Sequence, residues 1–400
     1  MICYKELFDI DIVPLLTVSS KNKVEHFCIN PTSNKKLHHN LKKLIDNMRI
    51  SFTKDIFIEP AKNIKLDHLQ NIFIEFDKKL NNVDNSKFQN DVLNMKESLS
   101  LNLIVGNDKI TVNFLFADFE SNIGYISVIM HSLNTFCNLF TYNYNGLVIN
   151  VSLDDNNRII DFPTNLKTYN DIFAYLHKKS SAFNVSGVTY RIKNTIILTK
   201  KEEIVKLMYH ELVHYIGLDK EIVNMSNNYD WAIDNNKLNL SEAYTEFVSV
   251  ILNAAYQTLQ IRGLYQIDLY EFYGRLLYVE YQYSIYLSAN ILKFFGYDYR
   301  SYKNFFNGIG EKKYSPIYVW EYIILRTQLF LNINKILNVM PNNFRIDDDN
   351  KDVITKYMKI DNNLLNELSF FMKNAFDKNI SYNISYNISY LLIDFDWNLF

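Results

Sequence analysis

Cysteine is nearly absent from this 400-residue chain, which holds only Cys3, Cys28 and Cys137. Three scattered thiols exclude a disulfide framework and a thiolate zinc site, and make an intracellular, reducing compartment the default expectation. Glycine (10) and proline (6) are scarce too, which excludes a Pro- and Gly-rich low-complexity chain. Neither basic nor acidic residues are in marked excess: 42 Lys and Arg against 44 Asp and Glu give a formal net charge of −2. No global field therefore attracts nucleic acid or an anionic membrane, and pairs such as Lys35-Lys36 and Lys42-Lys43 read as solvated faces. Lys5, Glu6, Asp9 and Asp11 exclude a secretory signal at the start. The strongly apolar stretch at 315–337, with Pro316 in its first turn, is interrupted by Glu321 and Arg326. It reads as a buried core helix rather than a membrane span.

What is present is apolar and aromatic. Hydrophobic residues make up 48% and aromatics 15%, so the chain folds around a sizeable core, with room for two or three domains. Asn, Ile, Lys, Tyr and Phe abound, and their codons imply an AT-rich genome. Residues 1–98 mix apolar runs with helical stretches at 64–81 and 85–98 and read as an N-terminal mixed subdomain. Residues 101–105 and 110–116 alternate around Gly106-Asn107-Asp108, a hairpin signal. A helix over 120–139, a strand over 147–151, a helix over 169–177 and strands over 187–191 and 195–198 follow. Residues 261–400 are Tyr- and Phe-rich at helical spacing and form a helical C-terminal domain. Its tail repeats Asn-Ile-Ser-Tyr three times over 379–390, a tandem low-complexity segment.

The informative segment is His210-Glu211-Leu212-Val213-His214, the pattern HExxH. On a helix, positions i and i+4 share a face, so both imidazoles can reach one metal ion. Glu211 stands beside them, placed to hold and deprotonate a metal-bound water. Ile204, Val205, Leu207, Met208, Leu212, Val213 and Ile216 supply apolar positions at helical spacing. Glu202-Glu203 favour a helix start, Thr199 is a candidate N-cap, and Gly217 is a stop signal. The bland alternative is a half-buried helix that happens to carry two histidines.

A hydrolytic zinc site needs a third protein ligand and one open position. Two placements compete. After the motif, His214 is followed by Gly217 and Lys220, similar to the metzincin pattern as far as the glycine. A lysine then stands in the ligand place, Asp219 is one residue out of register, and Met225 lies very close for a Met-turn. The other placement is the segment Ser241-Glu242-Ala243-Tyr244-Thr245-Glu246. Ser241 is an N-cap candidate, and Glu242 and Glu246 share a helix face. One can bind the metal while the other accepts the free N–H of a ligating histidine.

HExxH followed by ExxxE on a later helix resembles the gluzincin metallopeptidases, the thermolysin-like group. The resemblance implies an α+β fold, with a zincin-like catalytic domain over 99–260. It implies Zn²⁺ held by His210, His214 and Glu242, with Glu246 orienting a histidine and Glu211 as general base. It implies hydrolysis of a peptide or protein substrate that pairs with a sheet edge at 187–191 or 195–198. Thermolysin-like enzymes stabilise the oxyanion with a downstream His, but no histidine follows His214. The aminopeptidase branch uses a Tyr, which points to Tyr299, Arg300 and Tyr302, with Arg275 and Tyr278 as a second pair. That branch also carries an edge-strand Glu, and residues 187–198 contain none, which favours an endopeptidase. The rivals are a metzincin-like variant with another third ligand, a non-catalytic zincin-fold binding or structural protein, and a helical interaction protein with an incidental HExxH.

Overall fold

A computed structural model describes residues 2–3, 12–18, 20–21, 28–29, 37–81, 87–154, 159–160, 186–223, 229–233, 238, 240–310, 312, 321–340, 344–374, 386–387 and 393–399. Six strands form one mixed sheet: β1 (Phe57–Pro60), β2 (Glu97–Val105), β3 (Asp108–Phe116), β4 (Val148–Ser152), β5 (Gly187–Tyr190) and β6 (Thr195–Leu198). Their spatial order is β1-β2-β3-β4-β6-β5. The expected hairpin is β2–β3, closed at Gly106-Asn107 with Gly106 at φ 61°, a conformation glycine adopts without steric cost. β4 runs parallel to β3 and β6, and β5 returns antiparallel to β6. Of the two segments expected at the edge, β5 takes it. Ile196, Ile197 and Leu198 of β6 are buried, while β5 is half-buried throughout, as the interior and the edge of a sheet require.

Alternation along the strands builds two apolar layers. Phe114, Phe116, Ile196 and Leu198 join the main core, which includes Ile129 and Leu133 of the helix Ile123–Leu139. Leu115 and Ile197 point the other way, onto Leu69 and Phe73 of Leu66–Asn81 and Phe88 and Val92 of Lys87–Asn94. The rest is helical. Leu240–Leu264 is buried along nearly its whole length and packs against Ile204–Ile216, Leu269–Phe294, Glu321–Leu331 and His39–Phe52. It is a core helix whose one polar stripe, Glu242, Glu246, Ser249, Asn253 and Gln257, is buried along with its apolar faces, apart from the half-buried Glu242.

The expected segment boundaries at 98 and 260 are not packing boundaries. Leu41, Val112, Phe247, Leu325 and Trp397 share one apolar cluster, and β1 pairs with β2 across the first boundary. The apolar stretch at 315–337 is described from residue 321, and Asn332 divides it into Glu321–Leu331 and Ile333–Val339. The expected helix at 169–177 lies outside the described residues, as do the tail repeats apart from Tyr386–Asn387. Among the described residues, no helix is long and apolar enough to cross a membrane.

The final segment, 393–399, closes over the core. Phe395 bridges to Leu16, and Trp397 is 1% exposed. Trp397 packs over Gly124, where an added Cβ would stand 2.3 Å from the Trp397 carbonyl oxygen. Gly124→Ala is therefore expected to lower unfolding stability by about 1–3 kcal/mol, the usual cost of overpacking. Urea denaturation measures it, and an unchanged midpoint would show that the clasp is not closed in solution.

Candidate metal centre

The motif helix Ile204–Ile216 starts from an unusual cap. Glu203 is buried with φ 60°, and its N–H donates to Asp394 Oδ2 at 3.1 Å. The expected cap, Thr199, instead donates to the Ser186 carbonyl at 3.1 Å. At the other end Gly217, with φ 69°, donates to the His214 carbonyl at 3.1 Å, and Leu218 N–H reaches the Val213 carbonyl at 3.2 Å. The glycine thus ends the helix by accepting a left-handed conformation. Three residues of the motif face, Lys206, His210 and His214, follow at i, i+4 and i+8 and point at the helix Leu240–Leu264.

There the side chains converge. Glu242 offers one oxygen to each imidazole: Oε2 lies 3.1 Å from His210 Nε2, and Oε1 lies 3.3 Å from His214 Nε2. One ligand atom from each of His210, His214 and Glu242 lies within 4.8 Å of the others. The outer nitrogens are held from behind. His210 Nδ1 is 2.9 Å from Glu246 Oε2, and His214 Nδ1 is 2.8 Å from Asp219 Oδ2. A carboxylate at Nδ1 takes the N–H there and leaves the Nε2 lone pair for a metal. Donors about 2.0–2.1 Å from a tetrahedral zinc stand roughly 3.4 Å apart, close to the spacing found here. The two His–Glu spacings and the donor set of two imidazoles and a carboxylate would allow a metal ion to be held here.

Charge compensation extends one layer further. Glu246 Oε1 accepts from Lys206 Nζ at 2.8 Å and Arg326 Nη1 at 3.3 Å, all of them buried. Asp219 accepts from Arg191 Nη2 at 3.0 Å and from the Ser241 hydroxyl. Burial pushes the Glu246 carboxyl up, but Lys206, His210 and Arg326 outweigh it and hold it well below the usual carboxylate range. Glu242 is likewise held well down, because His214 and His210 overcome burial. Burial pulls His210 down, yet Glu242 and Glu246 raise it to about 9, and His214 is raised well above its usual value. In Glu211 burial prevails over its neighbours and raises the carboxyl.

The structure brings His210, His214 and Glu242 together, with Glu246 behind His210 and Glu211 next along the helix. Asp219 sits behind His214, on the side away from Glu242, so it does not stand among the converging donors. Lys220 is exposed in a turn. Ser241 is not a cap; its hydroxyl serves Asp219. Tyr299, Arg300 and Tyr302 are not drawn to the cluster. Arg300 Nε donates to Tyr299 Oη at 2.7 Å on the surface, and buried Tyr302 donates to the Leu365 carbonyl at 2.9 Å. Tyr299 and Arg300 pair with each other and Tyr302 bonds 63 positions away, and spacing from the third ligand says nothing about direction. Arg275 pairs with Glu271, one turn away.

Several contributing residues escaped the sequence reading. Lys206 had a signal, its i, i+4 relation to His210. Arg326 registered only as an interruption of an apolar helix. Gly187 and Thr189 gave no sign beyond sharing a strand face.

Among known proteins, no family model matches the chain and no solved structure matches it. A protein of Acanthamoeba polyphaga mimivirus, described as uncharacterized, is 42% identical over 390 residues. The alignment covers 96% of this chain and 98% of that one.

Removing one cation from the buried cluster should cost stability whether or not metal is bound. Lys206→Met leaves Glu246 and Glu203 less compensated, and breaking such a buried pair costs about 3–5 kcal/mol. Urea denaturation of the chelator-treated protein is the check, and a loss too small to detect would mean that Lys206 does not hold Glu246.

Proposed function

We propose that this chain, which belongs to the same family as the mimivirus protein, is a zinc-dependent metallopeptidase of gluzincin type, acting as an endopeptidase. One observation carries the reading: Glu242 faces the Nε2 atoms of both motif histidines while acids hold both Nδ1 atoms. His210, His214 and Glu242 would hold the ion. Zinc bound there would acidify a water molecule and polarise a scissile carbonyl. Glu211 would serve as the base that accepts a proton from the attacking water and returns it to the leaving amine. Burial raises the Glu211 carboxyl, which suits a group that must both accept and release a proton.

The substrate's place follows from β5. It lies at one end of the sheet order and packs on the motif helix. An extended peptide could add there as a further strand, fixed by main-chain hydrogen bonds. The order of elements supports a zincin-like arrangement: sheet, backing helix, motif helix, then a later helix bearing the third ligand. Glu211 also weighs against a purely structural descendant, which has no need of a base beside the metal. The oxyanion donor is not assigned to Tyr299, Arg300 or Tyr302, whose polar groups bond elsewhere.

Zinc content and hydrolysis of unfolded casein test the reading together. Glu211→Gln should keep zinc and fold while losing roughly 10²–10⁴ in rate, the usual contribution of a general base. A fully active Gln variant would remove Glu211 from the mechanism. Zinc titration then tests the ligand set. Glu242→Gln should weaken binding sharply, whereas Glu246→Gln and Asp219→Asn should each cost about 10–100-fold, as groups that orient a ligand. Loss of zinc from Asp219→Asn with retention in Glu242→Gln would point to a metzincin-like ligand set instead.

A further inference from the structure

The side chain of Glu211 is held by the sheet rather than by its own helix. Its carboxylate lies against two residues of β5. Thr189 Oγ1 is 2.7 Å from Glu211 Oε2 and 2.9 Å from the Glu211 carbonyl oxygen. Two residues back, Gly187 presents bare backbone to the other oxygen: an added Cβ would stand 2.5 Å from Oε1 and 2.9 Å from Cδ. Strand positions i and i+2 share one face, so Gly187 and Thr189 form a single surface against Glu211. Val188 and Tyr190 point the opposite way, into the second apolar cluster. That packing fixes which face β5 turns to the motif helix, because a slip of one residue would exchange the two sets.

We propose that Thr189 is a positioning residue for Glu211: its hydroxyl fixes the carboxylate in the single orientation that the Gly187 backbone leaves room for. The inference rests on the metallopeptidase reading for its consequence, but its geometry stands without it. Glutamate has three rotatable side-chain bonds, and the charges of His210 and His214 act on the carboxylate without setting one rotamer, whereas the Thr189 hydroxyl reaches one oxygen directly. Thr189 does so from the strand on which the substrate would lie. It touches neither His210, His214 nor Glu242, so its loss should leave metal binding intact. A misplacement of about 1 Å in a reacting group costs on the order of 10² in rate.

The test uses Thr189→Val, which keeps the branched shape without the hydroxyl, and Thr189→Ser, which keeps the hydroxyl. Zinc affinity, kcat and KM on labelled casein, and crystal structures of both variants are measured on the full chain. The expected result for Thr189→Val is wild-type zinc affinity and KM, kcat lower by roughly 10²-fold, and Glu211 in more than one rotamer. Thr189→Ser should restore the single rotamer and most of kcat. If Thr189→Val keeps Glu211 in its wild-type place, or keeps kcat in an active protein, the proposal is overturned. If the wild-type protein cleaves no peptide bond, the metallopeptidase reading fails, while the position of Glu211 in the two crystals still decides the role of Thr189.

Discussion

The buried carboxylate of Glu246 is the point at which the helical half of the molecule and the candidate centre meet. Its Oε2 lies against His210, and its Oε1 takes Lys206 and Arg326. Arg326 also donates to Ser284 Oγ from Nε at 3.2 Å and from Nη2 at 3.0 Å. Four helices, Ile204–Ile216, Leu240–Leu264, Leu269–Phe294 and Glu321–Leu331, are thereby tied to one anion. Removing such charges from water costs several kcal/mol each, and that cost is offset only when every group is well partnered. An apolar cluster of the same volume could give equal stability. It could not fix the plane and tautomer of His210, which a hydrogen-bonded carboxylate does.

The second histidine follows the same logic with a lighter cluster. Asp219 holds His214 and is itself held by Arg191, in the turn after β5, and by Ser241 on the long helix. The sheet edge therefore touches the centre twice, through Thr189 at Glu211 and through Arg191 at Asp219. The C-terminal segment reaches the start of the motif helix, because Asp394 accepts the N–H of its cap residue, Glu203. These links explain why no packing boundary falls at 98 or 260. Residues from β5, the motif helix, the long helix and the C-terminal segment are linked at or beside the centre by these hydrogen bonds.

Much of this was legible from short-range pattern. The hairpin at Gly106, the motif helix and its stop at Gly217, and the shared face of Glu242 and Glu246 follow from spacing alone, because turns and helix faces are local. The convergence of the two helices was an expectation from the family pattern, and the distances at Glu242 agree with it. What was not legible depends on long-range contact. Arg326 stands 80 positions from Glu246, and in sequence it was a flaw in an apolar run. Thr189 and Glu211 come together only because β5 returns antiparallel beside β6. Asp219 lay in plain view but was weighed as a ligand, because spacing cannot tell which nitrogen of His214 it meets. The tyrosines at 299 and 302 bond to Arg300 and to the Leu365 carbonyl, and a residue type so common in this chain carries little positional information.

X-ray absorption at the zinc edge tests the central claim most directly. The zinc-loaded protein should show two imidazole nitrogens and a carboxylate oxygen, with a further light donor completing four-fold coordination at about 2.0–2.1 Å, and no sulfur. A shell of oxygens alone, a sulfur contribution, or failure to retain zinc would contradict a centre built on His210, His214 and Glu242.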